Sequence, residues 1–193
     1  MQDRHAHWEE RWRRVSGGAV PDPARVLAEN LHLLPARGRA LDLACGLAGN
    51  AFALAAHGLE THAWDWSEAA IARVRGAVQG GAPAVRAAVR DVVAQPPEPD
   101  AFDVIVVAHF LDRTLMPRLE AALRPGGLLF YQTFVREAVG ERGPSRPEYR
   151  LGPNELLALL PALRLVVYRE EGRIGDLSRG FRDEVLYVGR RPD

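Results

Sequence analysis

The stretch LDLACGLAGNAFALAAHG, residues 41–58, decides the fold. It opens as an apolar strand that contains Asp42, passes through a turn of small residues, and then takes up a helical pattern that Gly58 ends. Small residues let a ligand approach the backbone, but they also let a helix pack tightly on a strand. The turn alone therefore predicts either a binding site for a nucleotide-like ligand or a purely structural junction.

The same unit of strand followed by helix recurs along the chain. Strands are predicted at 39–44, 60–65, 84–91, 101–108 and 127–134. Helices are predicted at 49–58, 67–78, 112–124 and 155–160. Two last strands, 163–171 and 183–190, have no helix between them and should pair antiparallel. We predict an α/β fold with a doubly wound, Rossmann-like sheet that is mostly parallel and has an antiparallel terminal strand.

The length and composition indicate one domain over residues 1–193. Helices are predicted at 4–15 and 24–34, separated by a break at 17–23. The net charge is zero, and no apolar run is long enough to span a membrane, so neither a nucleic-acid partner nor a membrane is expected. The single cysteine excludes an internal disulfide and fits a cytoplasmic protein. No metal site is predicted.

Three acids follow one another at predicted strand ends. Asp42 precedes the glycines, where a carboxylate would repel a pyrophosphate and suit a cationic ligand such as S-adenosylmethionine. Asp65 could accept ribose hydroxyls, Trp66 could cover an adenine, and Asp91 could take the adenine amino group. Each also has a structural alternative: Asp65 as a partner of a helix start, Trp66 as core and Asp91 as a turn residue.

The motifs LDLACG with Asn50, and AWD before a helix, resemble class I S-adenosylmethionine-dependent methyltransferases. HFLDRTLMPRLEAALRPGGLLFYQTF, GPSRPEYRLGPNELL and HWEERW are similar to segments of the tellurite-resistance methyltransferase group, the group that the chain resembles most closely. Alanines stand at 44 and 48, where the superfamily usually has glycine, and Gly49 stands where a larger polar residue often lies.

The resemblance implies S-adenosylmethionine as cofactor and residues 1–35 as a helical cap over its site. The implied cofactor-binding residues are Trp12, Asp42, Ala44, Cys45, Gly46, Asn50, Asp65, Trp66, Asp91, Val92 and Ala108. It also places His109 beside the methyl group, as a catalytic base or else as a residue that packs at a helix entry. Candidate acceptor-binding residues are Arg113, Arg146, Tyr149 and Arg173, for which solvated surface is the alternative.

The predicted activity is methyl transfer from S-adenosylmethionine to a small-molecule acceptor, with an anionic molecule as one candidate. No DPPY-type or NPPY-type motif of the nucleic-acid amino methyltransferases follows the fourth strand, where the chain reads VVAHFLDR. Two alternatives stay open, a non-catalytic S-adenosylmethionine-binding regulator and an NAD-dependent oxidoreductase, although Asp42 and the terminal strand pair disfavour the second. The protein is expected to be a monomer or a homodimer.

Overall fold

A computed structural model describes the backbone of residues 2–15 and 20–193, and the side chains of these ranges from residue 6 onward. The helices are α1 Gln2–Arg14, α2 Arg25–Ala28, α3 Gly49–His57, α4 Glu68–Gln79, α5 Met116–Ala122 and α6 Glu155–Leu159. The strands are β1 Arg39–Leu43, β2 Glu60–Asp65, β3 Val85–Val89, β4 Phe102–Ala108, β5 Leu123–Phe134, β6 Arg164–Arg169 and β7 Glu184–Arg190. Three short 3-10 turns lie at Leu31–Leu33, Arg113–Leu115 and Pro147–Tyr149.

One seven-stranded sheet has the order β3-β2-β1-β4-β5-β7-β6. The strands β1 to β5 are parallel neighbours, whereas β7 runs antiparallel to both β5 and β6. The predicted fold class is confirmed, including the antiparallel terminal strand. Because β7 inserts between β5 and β6, its first residue, Glu184, lies opposite the last residue of β5, Phe134.

Alternating apolar residues in the central strands cover both faces of the sheet. Leu43 and Val107 belong to one core cluster, and Val104 and Val106 belong to the other. This double burial is the reason why the central strands read as nearly continuous apolar runs. No helix of the described residues is long and apolar enough to cross a membrane.

Several predicted boundaries were wrong. The helix expected at 24–34 is the four-residue α2 followed by a 3-10 turn, because the Asn30 side chain donates to the carbonyl of Val26 and its own N–H bonds the carbonyl of Leu27. The helix expected at 112–124 begins as a 3-10 turn, and the Asp112 side chain caps that turn. β5 starts at Leu123, four residues earlier than predicted, with a register shift where it meets β4. The predicted break at 17–23 lies partly outside the described residues.

The helix α1 is fastened to the start of α4 by a single acid. The Ser67 hydroxyl donates to Glu9 Oε2 at 2.6 Å, and the Ala69 N–H donates to Glu9 Oε1 at 3.2 Å. A carboxylate at this place satisfies one open N–H group of α4, that of Ala69, and complements the helix dipole. α1 is thereby held over the carboxyl ends of β1 and β2.

Candidate active site at the carboxyl ends of the strands

The strand order reverses between β1 and β4, because the chain continues from β1 to β2 on one side and from β4 to β5 on the other. Such a reversal opens a crevice beyond the carboxyl ends of the two strands, and ligands of doubly wound sheets bind there. The register pairs Leu43 with Val107, so Cys45 and His109 each lie two residues beyond the same pair. The turn after β1 and the residue His109 therefore flank this crevice.

The backbone of the turn is left-handed at three positions. Ala44 has a φ of 56°, Gly46 of 52° and Ala48 of 61°. A left-handed conformation costs an alanine about 1 kcal/mol or more relative to the ordinary helical one. Ala44 and Ala48, which stand where the resembled superfamily usually has glycine, are thus strained, and strain of this kind persists where surrounding structure holds the backbone.

The small residues of the turn make room for the N-terminal part of the same chain. A Cβ on Gly46 would lie 2.7 Å from the Trp12 ring, and one on Gly49 would lie 2.6 Å from the carbonyl oxygen of Pro21. Both distances are too short for real contacts, so only glycine fits at either position. The turn is therefore bare in part because Trp12 and the segment after α1 pack directly on it.

Asp42 serves the start of α3. Its carboxylate is 1% exposed and accepts from the Ala51 N–H at 3.0 Å and from Asn50 Nδ2 at 3.2 Å. α3 has no capping side chain of its own at Ala48, so Asp42 takes the place of an N-cap from the neighbouring strand. Burial raises the pKa of Asp42 to about 7, in spite of the two hydrogen bonds.

Asn50 is used within the chain as well. Its Oδ1 accepts from the Ala24 N–H at 2.8 Å, while its Nδ2 faces Asp42. The side chain is buried and ties the start of α2 to the end of β1. The structure therefore gives Asn50 and Asp42 positioning contacts behind the turn.

Asp65 shapes the opposite side of the turn. Its Oδ2 accepts from the Gly46 N–H at 2.8 Å and its Oδ1 accepts from the Ser67 N–H at 2.9 Å. The half-buried Trp66 follows directly. Burial, together with the nearby carboxylates of Asp42 and Asp65, raises the pKa of the Cys45 thiol well above its ordinary value.

Asp91 and Val92 lie beyond β3, which ends at Val89 and not at Asp91 as predicted. Asp91 Oδ1 accepts from the N–H groups of Val93 and Ala94 at 3.0 and 3.1 Å, which makes a tight turn after the strand. Val92 is buried in the core cluster that contains Leu43. These contacts hold Asp91 at the same edge of the sheet as Asp65.

His109 begins the loop after β4, and Ala108 is the last residue of that strand. His109 has a φ of 56°, its N–H donates to the Gln132 carbonyl at 2.8 Å, and its side chain is 41% exposed. Its Nε2 lies 3.0 Å from Glu184 Oε2, and its ring packs on Phe134 with a centroid distance of 5.1 Å. The imidazole is thus held on two sides while part of it faces solvent.

Glu184 was missed from the sequence. It is 5% exposed, and Gln132 Nε2 donates to the same oxygen that faces His109. Burial alone would raise the pKa of Glu184, but the hydrogen bond and charge of His109, the hydrogen bond of Gln132 and the charge of Arg142 outweigh it and hold the pKa below its usual value. An acid at the first position of the last strand was the available signal, but only the pairing of β5 with β7 places it beside His109.

The loop after β5 folds back over Phe134. A Cβ on Gly143 would lie 2.5 Å from the Phe134 ring, and the Arg150 guanidinium lies 5.6 Å from that ring's centroid. Arg150 also donates to the carbonyls of Val135 and Pro144 at 3.0 and 2.8 Å. The loop therefore forms a wall beside His109.

The four candidate acceptor-binding residues are only partly brought together: Arg113 contacts the turn that contains Tyr149 and follows Arg146, whereas Arg173 contacts the loop near Ala138. Arg113 binds Glu155 with two hydrogen bonds of 2.5 and 3.1 Å and also donates to two loop carbonyls. Arg146 is exposed, and Arg173 donates to the Ala138 carbonyl at 2.8 Å. Tyr149 is half-buried within the 3-10 turn at Pro147–Tyr149. Arg142, which influences Glu184, was only one of several loop arginines in the sequence.

The comparisons with known proteins agree with this architecture. The family model described as a methyltransferase domain matches residues 40–127, from β1 to the start of β5. A search among curated protein sequences finds no match. Among solved structures, a methyltransferase dependent on S-adenosylmethionine from Methanosarcina mazei has a TM-score of 0.68 and 16% identity, over 89% of this chain and 99% of that one.

Two further structures are similar over nearly the whole chain. TehB from Haemophilus influenzae has a TM-score of 0.69 and 17% identity, over 97% of this chain and 66% of that one. A solved structure described by the conversion of a disulfide bond into a thioacetal group during echinomycin biosynthesis has a TM-score of 0.73 and 19% identity. The match covers 98% of this chain and 92% of that one. TehB is thus one of several distant neighbours, and the expected special kinship with its group is not shown. Residues 40–127 thus match a methyltransferase domain, and the seven-stranded sheet has the same fold as solved S-adenosylmethionine-dependent methyltransferases.

Proposed function

We propose that this enzyme transfers a methyl group to a small molecule that binds beside His109, at the crevice between β1 and β4. One observation carries the proposal: a partly exposed imidazole is held by a buried carboxylate at the edge of that crevice. A histidine fixed in this way is the usual arrangement for moving a proton at neutral pH.

The residues at the strand ends fit S-adenosylmethionine. Asp42, Asp65 and Asp91 stand at three adjacent strand ends. Carboxylates suit a ligand with a sulfonium, an ammonium and ribose hydroxyls, and they would repel the pyrophosphate of NAD. We assign the ribose and adenine contacts to Asp65, Trp66, Asp91 and Val92. Ala108 is assigned to the methyl group, and the backbone of Ala44, Cys45 and Gly46 to the methionine part. Asp42 and Asn50 support that backbone from behind.

We assign Trp12, within the helical cap of residues 1–35, the role of covering this cofactor. Its ring lies against Gly46, in the middle of the assigned turn. α1 is held there by Glu9. The cap would exclude water from the reacting atoms, which methyl transfer requires more than it requires strong acids or bases.

When bound, S-adenosylmethionine supplies a methyl group on a positively charged sulfur, which leaves as a neutral thioether with the electron pair of the broken bond. The chain's own residues position the acceptor and accept its proton. His109 is the proposed base, and Phe134 forms the apolar wall on which the acceptor lies.

We infer that an anionic acceptor is favoured by Arg142. The guanidinium acts electrostatically on Glu184, and Arg142 adjoins Gly143, which packs on Phe134. No hydrogen bond of its side chain to the described residues is found, so it is available for a ligand. Arg146, Tyr149, Arg173 and Arg113 remain weaker candidates on the surrounding loops. Tellurite and selenite belong in the acceptor panel because of the motifs shared with the tellurite-resistance group.

A monomer or homodimer in the cytoplasm remains our expectation. Two alternatives to methyl transfer differ from it in what they predict. An NAD-dependent oxidoreductase would bind NAD. A regulatory protein would bind S-adenosylmethionine without turnover. One neighbour of this fold is a [4+2]-cyclase, with a TM-score of 0.68 and 18% identity, so the assay must detect the methylated product itself.

The test begins with calorimetric titration by S-adenosylmethionine, S-adenosylhomocysteine and NAD. Binding of the first two without NAD is expected, and binding of NAD alone would refute the proposal. Transfer of labelled methyl groups to a panel of small oxyanions, thiols, phenols and carboxylic acids follows. His109→Ala should lower kcat roughly 10²-fold with cofactor affinity kept. His32→Ala, which removes an exposed imidazole outside the site, is the matched control. Full activity of His109→Ala would make His109 structural.

A further inference from the structure

Four groups form a hydrogen-bonded chain that ends at His109. The Val26 N–H, at the start of α2, donates to Gln132 Oε1 at 2.8 Å. Gln132 Nε2 donates to Glu184 Oε2, which lies 3.0 Å from His109 Nε2. The middle members, Gln132 and Glu184, are 4% and 5% exposed, so water competes little with these bonds.

The chain has a direction because its first member can only donate. A backbone N–H must face the amide oxygen of Gln132, so the amide nitrogen of Gln132 must face Glu184. That nitrogen also only donates, so Glu184 Oε2 is an acceptor. An ionised carboxylate accepts at every oxygen, and the lowered pKa of Glu184 agrees with this state. His109 Nε2 must then be the donor in the last bond.

A neutral imidazole carries one proton. With that proton on Nε2, the lone pair lies on Nδ1. Nδ1 has no hydrogen-bond partner among the described residues, and the side chain is partly exposed. The atom able to accept a proton is thus the nitrogen that points away from Glu184.

We propose that Glu184 is a positioning residue that holds the proton of His109 on Nε2, so that Nδ1 accepts a proton from an acceptor whose nucleophile is an O–H, S–H or N–H group. This inference rests on the proposed function and names the acceptor class of the same site. The acceptor's proton goes to Nδ1, and the electron pair left on its O, S or N atom forms the new bond to the methyl carbon. Glu184 stabilises the imidazolium that results.

The direct readout is the imidazole region of proton–nitrogen NMR spectra of the purified protein near neutral pH, without cofactor or acceptor. Imidazole protons exposed to water exchange too fast to be seen, whereas one bound to a buried carboxylate should give a resolved signal. We expect a signal for His109 Nε2–H, assigned by its loss in His109→Gln, and its loss in Glu184→Met. A signal on Nδ1, on both nitrogens, or unaffected by Glu184→Met would overturn the inference.

The matched control is Glu60→Gln. It removes the carboxylate that lies 3.7 Å from His62 Nε2 at the amino end of β2, away from the candidate site. The His109 signal should stay unchanged in this variant. If Glu184→Met does not fold, Glu184→Gln keeps an acceptor oxygen but removes the charge. In Glu184→Gln the signal should remain, while kcat falls at least about tenfold and the KM for S-adenosylmethionine changes little.

The two proposals fail in different ways. The expected NMR signal without methyl transfer to any acceptor would refute the proposed function and leave the positioning by Glu184 standing. Methyl transfer with wild-type kcat in Glu184→Gln, or transfer only to acceptors without a proton on the nucleophile, would refute the inference and leave the methyltransferase activity standing.

Discussion

Asp42 should make the stability of the folded protein fall as the pH rises. Burial raises the pKa of its carboxyl from 3.8 to about 7, so the folded state holds this proton more tightly than the unfolded chain does. The contribution is therefore fully present below the unfolded pKa of 3.8 and is lost as the pH rises through the folded pKa of about 7. A difference of about three pKa units corresponds to roughly 4 kcal/mol.

Asp42→Asn keeps the shape of the side chain and removes its titration. Urea unfolding of both proteins from about pH 4.5 to about pH 8 measures the two free energies of unfolding. The wild type should lose stability relative to Asp42→Asn over this range by roughly 3 kcal/mol, since part of the total loss already occurs below about pH 4.5. Glu98→Gln, which removes an exposed carboxylate in a surface loop, should run parallel to the wild type. A constant difference between wild type and Asp42→Asn would refute the reasoning.

Three further predictions concern the turn and the loop wall. Asp65→Ala should weaken S-adenosylmethionine binding by about 1–3 kcal/mol in calorimetry, since a buried charged acceptor is lost; unchanged affinity would remove Asp65 from the site. Gly46→Ala should displace the Trp12 ring and shift tryptophan fluorescence to longer wavelength, and an unchanged spectrum would contradict this packing. Arg113→Ala should lower the free energy of unfolding by about 1–2 kcal/mol through the lost pair with Glu155, and should speed proteolysis of the loop after β5; equal cleavage would show that the loop is held without it.

The fold class could be predicted because its signals are local. The apolar run of β4 and the helical pattern after Gly49 are each contained within about a dozen residues. Boundaries failed where a side chain competed with the backbone, as Asn30 does at the end of α2. The antiparallel pairing of β6 with β7 could be predicted because no helix is predicted between them. The position of β7 between β5 and β6 could not be predicted.

The candidate site was predictable where residues lie at or just beyond the carboxyl ends of strands. Asp65 and Asp91 lie at one edge of the sheet because parallel strands end together. The sequence explained the small residues of the turn only in part. The packing of Trp12 on Gly46 joins residues 34 positions apart, and such a contact leaves no periodic signal in the sequence. The same holds for the strain at Ala44 and Ala48, which is a property of the backbone and not of the residue type.

The sequence by itself determined a mostly parallel α/β sheet with acids at or near the carboxyl ends of its first three strands and a histidine after its fourth, since these depend on periodicity and on neighbours in the chain. Only the tertiary structure decided that Asp42 caps α3 and that Glu184 holds His109. The latter contact joins residues 75 positions apart through the pairing of β5 with β7. The register between strands that are distant in the chain is set by the packing of the whole sheet. Which residues it places opposite each other cannot be predicted from their neighbours in the sequence.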